Sequence, residues 1–490
     1  MFPQTWIEWI LFRPQTRQIP EIETGLPKSV EILEIPTFLS NPKDKTTMFG
    51  YPQAAPQQGS GGSHHGGGGR GGGRGGGRGG RNQGRHGGRG SGRQQQQQQQ
   101  QQSGGSAIEQ PAMRICDYSV TNSCSRGASC TFSHCISLAG KISTGHTQRV
   151  CTAWYNEQDK SILTGSLDGW LKKFDLASGQ PQINEQVIPH PPIILPVNSS
   201  GVMSIQIAFD HIFFASSELF GDDTVGIIKY VNVGNLSQVS IVKLSESNPY
   251  THTHPIKSFI ITGSLPQIVL ITAGYEGIIR IWQIDPTGEF KNIQTLEGHT
   301  RGINALLFNP TNETLWSCSD DKTIKVWAAA HNWEPLTYSV WHDAGHFGGV
   351  TCLEYIPFGI PQTPSPTTIV VPQSGLVVSG GNDNNIIVWD GGFEGCKIVK
   401  THQDKVVALK FTILADGSLP KLFICLADGS VSIRSCDNYN LLVSVKIQEG
   451  RGPMVPNLSS LAVIREHNYF ALVGENESIC VFQIAPQSIP

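Results

Sequence analysis

No run of 18 apolar residues occurs in this 490-residue chain, so no membrane-spanning helix is expected. The opening apolar run, Trp6-Ile7-Glu8-Trp9-Ile10-Leu11-Phe12, is short, broken by Glu8 and preceded by no basic residue, so no secretory leader is expected either. Met48 is an alternative start. Cysteine is sparse: 11 residues over this length are too few for a disulfide framework, and a reducing intracellular compartment is expected. Nucleus and cytoplasm both fit, since no dense lysine cluster marks import. Between residues 60 and 105 there is no acid and no lysine, but there are seven arginines. That stretch carries +7 and the rest of the chain −10, a split hidden by the net charge of −3. One part suits a polyanion and the other does not.

Glycine is concentrated where acids are missing: 20 of its 55 residues lie between Gly59 and Gly92. Residues 59–93 form a glycine-arginine tract, and 94–102 are consecutive glutamines. Neither can bury enough apolar surface to offset its ordering entropy, so residues 1–113 are expected to be a disordered low-complexity arm. Arg70, Arg74, Arg78, Arg81, Arg85, Arg89 and Arg93, separated mainly by glycines, resemble an RGG box. Each guanidinium can grip a phosphate in two places or stack on a base, while glycine keeps the backbone mobile.

From Arg114 the composition changes to that of a compact domain. Cys116, Cys124, Cys130 and His134 are spaced C-x7-C-x5-C-x3-H. Three thiolates and an imidazole complete a tetrahedral zinc shell and leave no open position for catalysis. A segment of residues 114–135 has almost no core, so the metal must supply its folding free energy. The spacing resembles the CCCH zinc-finger family, and the resemblance implies one structural Zn2+ and contact with single-stranded RNA. Phe132 matches the family's commonest base-stacking position. Arg126 stands where an aromatic is frequent, and it can stack or bind phosphate. Tyr118 is a further stacking candidate and Arg114 a further cationic one.

Residues 136–490 repeat. Gly145-His146, Thr164, Asp168 and Phe174 form one copy, and Gly298-His299, Ser317, Asp321 and Trp327 a second. Gly345-His346, Ser379, Asp383 and Trp389 form a third, and His254, Thr272, Glu276 and Trp282 a fourth. In each, the hydroxyl residue precedes the acid by four and the acid precedes the aromatic by six. Short apolar runs between them read as strands, and the Asp-Gly, Asp-Lys and Asp-Asn pairs as tight turns. Degenerate copies occupy 202–231, with a loop insertion expected at Glu218–Asp223, then 402–434, with Arg434 in the tryptophan place, then 458–484, with Asn476 and Phe482 in the acid and tryptophan places. A lone strand over Ile136–Ser143 is expected to complete the last copy.

These repeats resemble WD-repeat proteins. The resemblance implies an all-β, seven-bladed propeller in which His, Ser/Thr, Asp and Trp form buried structural networks rather than hydrolytic triads. Finger followed by propeller resembles the plant family of CCCH zinc-finger proteins with WD repeats, to which the RGG-like and glutamine tracts are additions. The implied function is a non-enzymatic RNA-binding adaptor. Arm and finger would contact single-stranded RNA while the propeller rims recruit proteins, with no membrane and no small-molecule substrate involved. The alternative is a protein-interaction scaffold, such as a substrate adaptor, with a purely structural finger. The Trp-Asp-x-Arg signature of ubiquitin-ligase receptors is missing, since Gly391-Gly392 follows Trp389-Asp390.

Overall fold

The computed structural model describes residues 111–490, apart from 177–184, 189–200, 243–251, 336–344 and shorter stretches of one to five residues. Residues 1–110 of the arm, with its seven arginines, lie outside the described residues, as does Asn476; its last residues are not disordered as expected, since Ala112 and Met113 pair with blade 6.

Among the described residues the strands form seven four-stranded antiparallel sheets, the blades of a β-propeller, and one short two-stranded ladder between Gln448–Glu449 and Gly452–Pro453. Blades 1 to 6 each take four consecutive strands, spanning 150–188, 204–241, 256–296, 303–335, 350–401 and 406–446. Blade 7 takes three strands from the C-terminal end, Ser460–Ile464, Tyr469–Val473 and Ser478–Ile484, and its fourth from Ile136–Ser143. This closure strand pairs antiparallel with Ser478–Ile484, from Ile136↔Ile484 to Ser143↔Ser478. No helix among the described residues is long and apolar enough to cross a membrane.

Burial explains the sequence pattern. The second strands of blades 1, 4, 5 and 6 are buried along their whole length, sandwiched between neighbouring blades. The first strands of the same blades are fully buried only at every third residue. A β-bulge lies next to the first residue of each, between Val150 and Thr152, Ile303 and Ala305, Val350 and Cys352, and Val406 and Ala408. A bulge adds one residue and increases twist, which breaks strict alternation. Blade-to-blade contact is close. A Cβ on Gly380 would lie 2.4 Å from the Val406 side chain of the next blade, and one on Gly165 2.4 Å from Val202.

The repeated polar residues meet as buried chains of hydrogen bonds. His299 Nδ1 lies 2.8 Å from Asp321 Oδ2 and its Nε2 lies 2.8 Å from Ser317 Oγ, which accepts the Trp327 indole N–H at 3.0 Å. In blade 5, His346 lies 2.9 Å from Asp383 and 2.8 Å from Ser379, which accepts from Trp389 at 2.8 Å. Blade 1 keeps His146, Asp168 and Thr164 at 3.0 and 2.9 Å, and replaces the indole with the buried Phe174 ring.

Two expectations are corrected, and a third gains a role. In blade 3 the network histidine is His252, not His254. His252 Nε2 lies 2.7 Å from Thr272 Oγ1, its Nδ1 meets Glu276, and Trp282 donates to Thr272 at 3.0 Å. His254 instead lies beside the Thr253 hydroxyl. The cause is an added pairing, in which His252 exchanges both backbone hydrogen bonds with Gly226 of blade 2. In blade 2, Glu218–Asp223 is not a loop insertion. The strands His211–Phe220 and Asp223–Asn232 stay paired out to Phe220↔Asp223. Glu218 there holds the fully buried Lys229 ammonium at 2.6 Å. In blade 6, Arg434 is more than a missing tryptophan. Its buried guanidinium donates to Tyr439 O at 2.7 Å and lies 3.4 Å from His402 Nε2.

Two predictions follow from these turns and networks. The residue after each network acid has positive φ: +83° at Gly169, +75° at Gly277, +75° at Lys322 and +69° at Asn384. A lysine pays a steric penalty there that glycine escapes. Lys322→Gly should therefore raise unfolding free energy by about 0.5–1 kcal/mol, read as a higher urea midpoint at unchanged slope.

The second concerns pH. Burial alone would raise Asp168, Asp321 and Asp383, but hydrogen bonds with their histidines and from backbone N–H groups outweigh it and hold all three below the ordinary carboxylate range. Burial, with Arg280 adding to it, holds His252 well below the ordinary histidine value. Depressed folded values contribute stability above the unfolded values, and that stability is lost as pH falls. The urea midpoint should decline first below about pH 6.5 and further below about pH 4. A midpoint unchanged down to about pH 3.5 would contradict the networks.

Candidate metal centre and its exposed aromatic rim

The metal centre is assembled by two short backbone pairings. Ile115 and Ser133 form a parallel bridge, with Cys116 N donating to Ser133 O at 2.9 Å and Ser133 N to Arg114 O at 3.0 Å. This brings the two ends of the finger, Cys116 and His134, side by side. Cys116 precedes a helical turn over Asp117–Val120, and Asn122 reverses the chain with a φ of 56°. A second turn, Gly127–Ser129, leads into Cys130.

The donor atoms of Cys116, Cys124, Cys130 and His134 all lie within 4.8 Å of one another. A tetrahedral shell with Zn–S bonds of about 2.3 Å needs sulfur separations of about 3.8 Å, so the spacing closes around one ion with little movement. Cys116 is buried, and burial together with the neighbouring thiols pushes its own thiol up. Backbone N–H groups of Arg126 and Gly127 point at the Cys124 sulfur and pull that thiol down. Three sulfurs and an imidazole, with no carboxylate among them, suit zinc. Cys135 is not part of this set. It is buried, and its carbonyl accepts the Ala485 N–H at 2.8 Å.

The sequence-derived contact residues fall on the outer surface of this unit. Tyr118 is 67 % exposed and Phe132 45 % exposed, and Arg114 and Arg126 are exposed as well. The finger's core and the propeller leave both rings uncovered.

Sequence reasoning missed how the finger is attached. Ala112 N and Met113 N donate to Leu441 O and Leu442 O, at 2.9 and 3.0 Å, which lays the chain beside the outer strand of blade 6. The Ser119 hydroxyl lies 3.2 Å from Ile136 O, and Asn122 Nδ2 donates to Leu138 O at 2.6 Å, both on the closure strand. Val120, Cys135 and Ile136 share one hydrophobic core with Val431, Ile433 and Val443 of blade 6 and Phe470 and Phe482 of blade 7. The available signals were Val120 and Ile115, the aliphatic residues of a mostly polar finger, both of which pack on the blades.

Comparisons with known proteins agree with this geometry. Residues 111–136 match the model of the zinc finger C-x8-C-x5-C-x3-H type (and similar), although the first interval here is one residue shorter. Residues 290–328 and 338–390 match the WD domain, G-beta repeat. The probable coatomer subunit beta′ of Schizosaccharomyces pombe is 30 % identical over 162 residues, 32 % of this chain and 17 % of that protein. The nuclear distribution protein PAC1 of Fusarium vanettenii is 29 % identical over 154 residues, 31 % of this chain and 29 % of that protein. The matches thus span less than a third of either relative. The WD40 β-propeller domain of Doa1 superposes with a TM-score of 0.50 at 17 % identity, over 71 % of this chain and 96 % of that one. The likeness to Doa1 is one of fold.

A prediction follows from the donor set. The purified chain should carry about one zinc per molecule, and Cys130→Ala should release it into a metallochromic assay under conditions where the parent retains it. Retention of a full equivalent by the variant would contradict the assignment.

Proposed function

We propose that the chain is a non-catalytic RNA-binding adaptor, in which the finger contacts single-stranded RNA and the propeller holds protein partners. The observation that carries this reading is the exposure of Tyr118 and Phe132 on a metal-braced unit. Packing around a metal would hide these rings. Their exposure leaves flat surfaces on which unpaired bases can stack, with Arg114 and Arg126 available to phosphates. The glycine-arginine tract at 59–93 adds seven positive charges on the N-terminal side of the finger. The order of finger and propeller supports a place among combined CCCH-finger and WD-repeat proteins. On this reading the domains are the arm at 1–113, the finger at 114–135 and the propeller at 136–490. The four His-centred networks are structural, because each hydroxyl is tied inside its blade.

A second reading, a scaffold whose finger serves structure alone, is favoured by the bond from Asn122 to the closure strand and the approach of the Ser119 hydroxyl to it. The two readings divide on one experiment. Phe132→Ala and Tyr118→Ala should each weaken binding of a single-stranded RNA oligonucleotide by about 5- to 150-fold at unchanged zinc content, measured by fluorescence anisotropy. Deleting 59–93 should also flatten the salt dependence, by up to about 0.7 in slope for each arginine lost. Unchanged affinity in all three variants, or no binding by the parent, favours the scaffold.

A further inference from the structure

A propeller ring is covalently open. Here its two ends are joined through the ladder between Ile136–Ser143 and Ser478–Ile484. The closure strand is the outermost of its blade, so one of its edges has no strand beside it. The unpaired carbonyls of an edge strand take water or a protein donor, and native folds often cover such an edge.

The finger covers that edge. Ser119 and Asn122 reach the Ile136 and Leu138 carbonyls from one side, while Ala112 and Met113 are bonded to the outer strand of blade 6. The finger therefore spans the outer strands of the last two blades. Val120 and Cys135 fill the core between them, with Met113 and Ile115 packed against it. The metal ligands flank these contacts. Cys116 immediately precedes the turn that carries Ser119 and Val120, and its carbonyl shares the Ser119 hydroxyl hydrogen, taking the shorter contact at 2.7 Å against 3.2 Å to Ile136 O. His134 immediately precedes Cys135 and the closure strand.

We propose that the metal-loaded finger is a clasp that holds the propeller ring shut. Its turns are too short to keep their shape without the ion. Metal binding fixes Ser119, Val120 and Asn122 against the closure strand and so contributes to ring stability as a ligand of the folded state. Loss of the metal frees the turn, uncovers the Ile136 and Leu138 carbonyls, and leaves the ends held by the terminal ladder alone. The clasp faces inward from the finger, opposite in role to the exposed Tyr118 and Phe132, and it stands whether or not RNA binds.

The test uses the full chain. Stripping zinc with a high-affinity chelator should lower the propeller melting temperature by about 5 °C or more. It should also speed amide exchange at least tenfold, to order of magnitude, in 136–143, 441–446 and 478–484, before blades 3 and 4 respond. The double substitution Ser119→Ala with Asn122→Ala keeps all four ligands and covers the case in which stripped protein aggregates. It should retain its zinc yet melt about 2–4 °C lower. A melting temperature and exchange pattern indifferent to chelation would overturn the proposal, as would a double variant that keeps its zinc and melts like the parent.

Discussion

Everything in this molecule depends on holding together a ring made from a linear chain. Six blades are each built from consecutive strands, and local turns set their register. The seventh is not. Its outer strand arrives from more than 300 residues away in sequence, and its attachment closes the ring. Joining such distant segments is entropically costly, so the contacts at this seam must compensate. Beyond the ladder itself they include the Ala485 N–H bonded to the Cys135 carbonyl and the Ser459 hydroxyl bonded to the Val150 carbonyl of blade 1. The finger's hold on Ile136 and Leu138 belongs to the same group.

This arrangement changes how the finger and propeller are understood as a pair. From sequence they read as two modules set side by side with almost no linker. In the structure they also share a hydrophobic core. The finger has two differently composed sides. Small and apolar residues, Ser119, Val120 and Cys135, face the blades, and Tyr118 and Phe132 face away. Nucleic acid held on the outer side would be oriented relative to proteins held by the propeller, because both surfaces belong to one packed body.

Much of this was legible in the sequence because hydrogen-bonded networks impose fixed intervals. His146 to Thr164 and His299 to Ser317 are both 18 residues, and both pairs meet. The rule failed in blade 3, where His254 had the expected interval but His252, 20 residues before Thr272, makes the bond. The backbone pairing of His252 with Gly226 comes from a neighbouring blade, and no spacing rule within a repeat contains it. Glu218 and Lys229 were obscured because charge within a strand reads as exposure until its partner is seen. The metal site was legible because four ligands must converge from one short segment. The docking of the finger was not, since Ser119 and Asn122 are ordinary polar residues until the carbonyls they reach are known.

Zinc release and propeller unfolding can be followed together during a single thermal ramp of the full chain. A zinc-sensitive dye reports the finger. Trp282, Trp316, Trp327 and Trp389, buried in blades 3 to 5, report the propeller far along the chain from it. A clasp predicts one shared midpoint, with zinc lost as the tryptophans become exposed. Complete zinc release well below an unshifted tryptophan transition would show that finger and propeller stand independently, and would contradict the account.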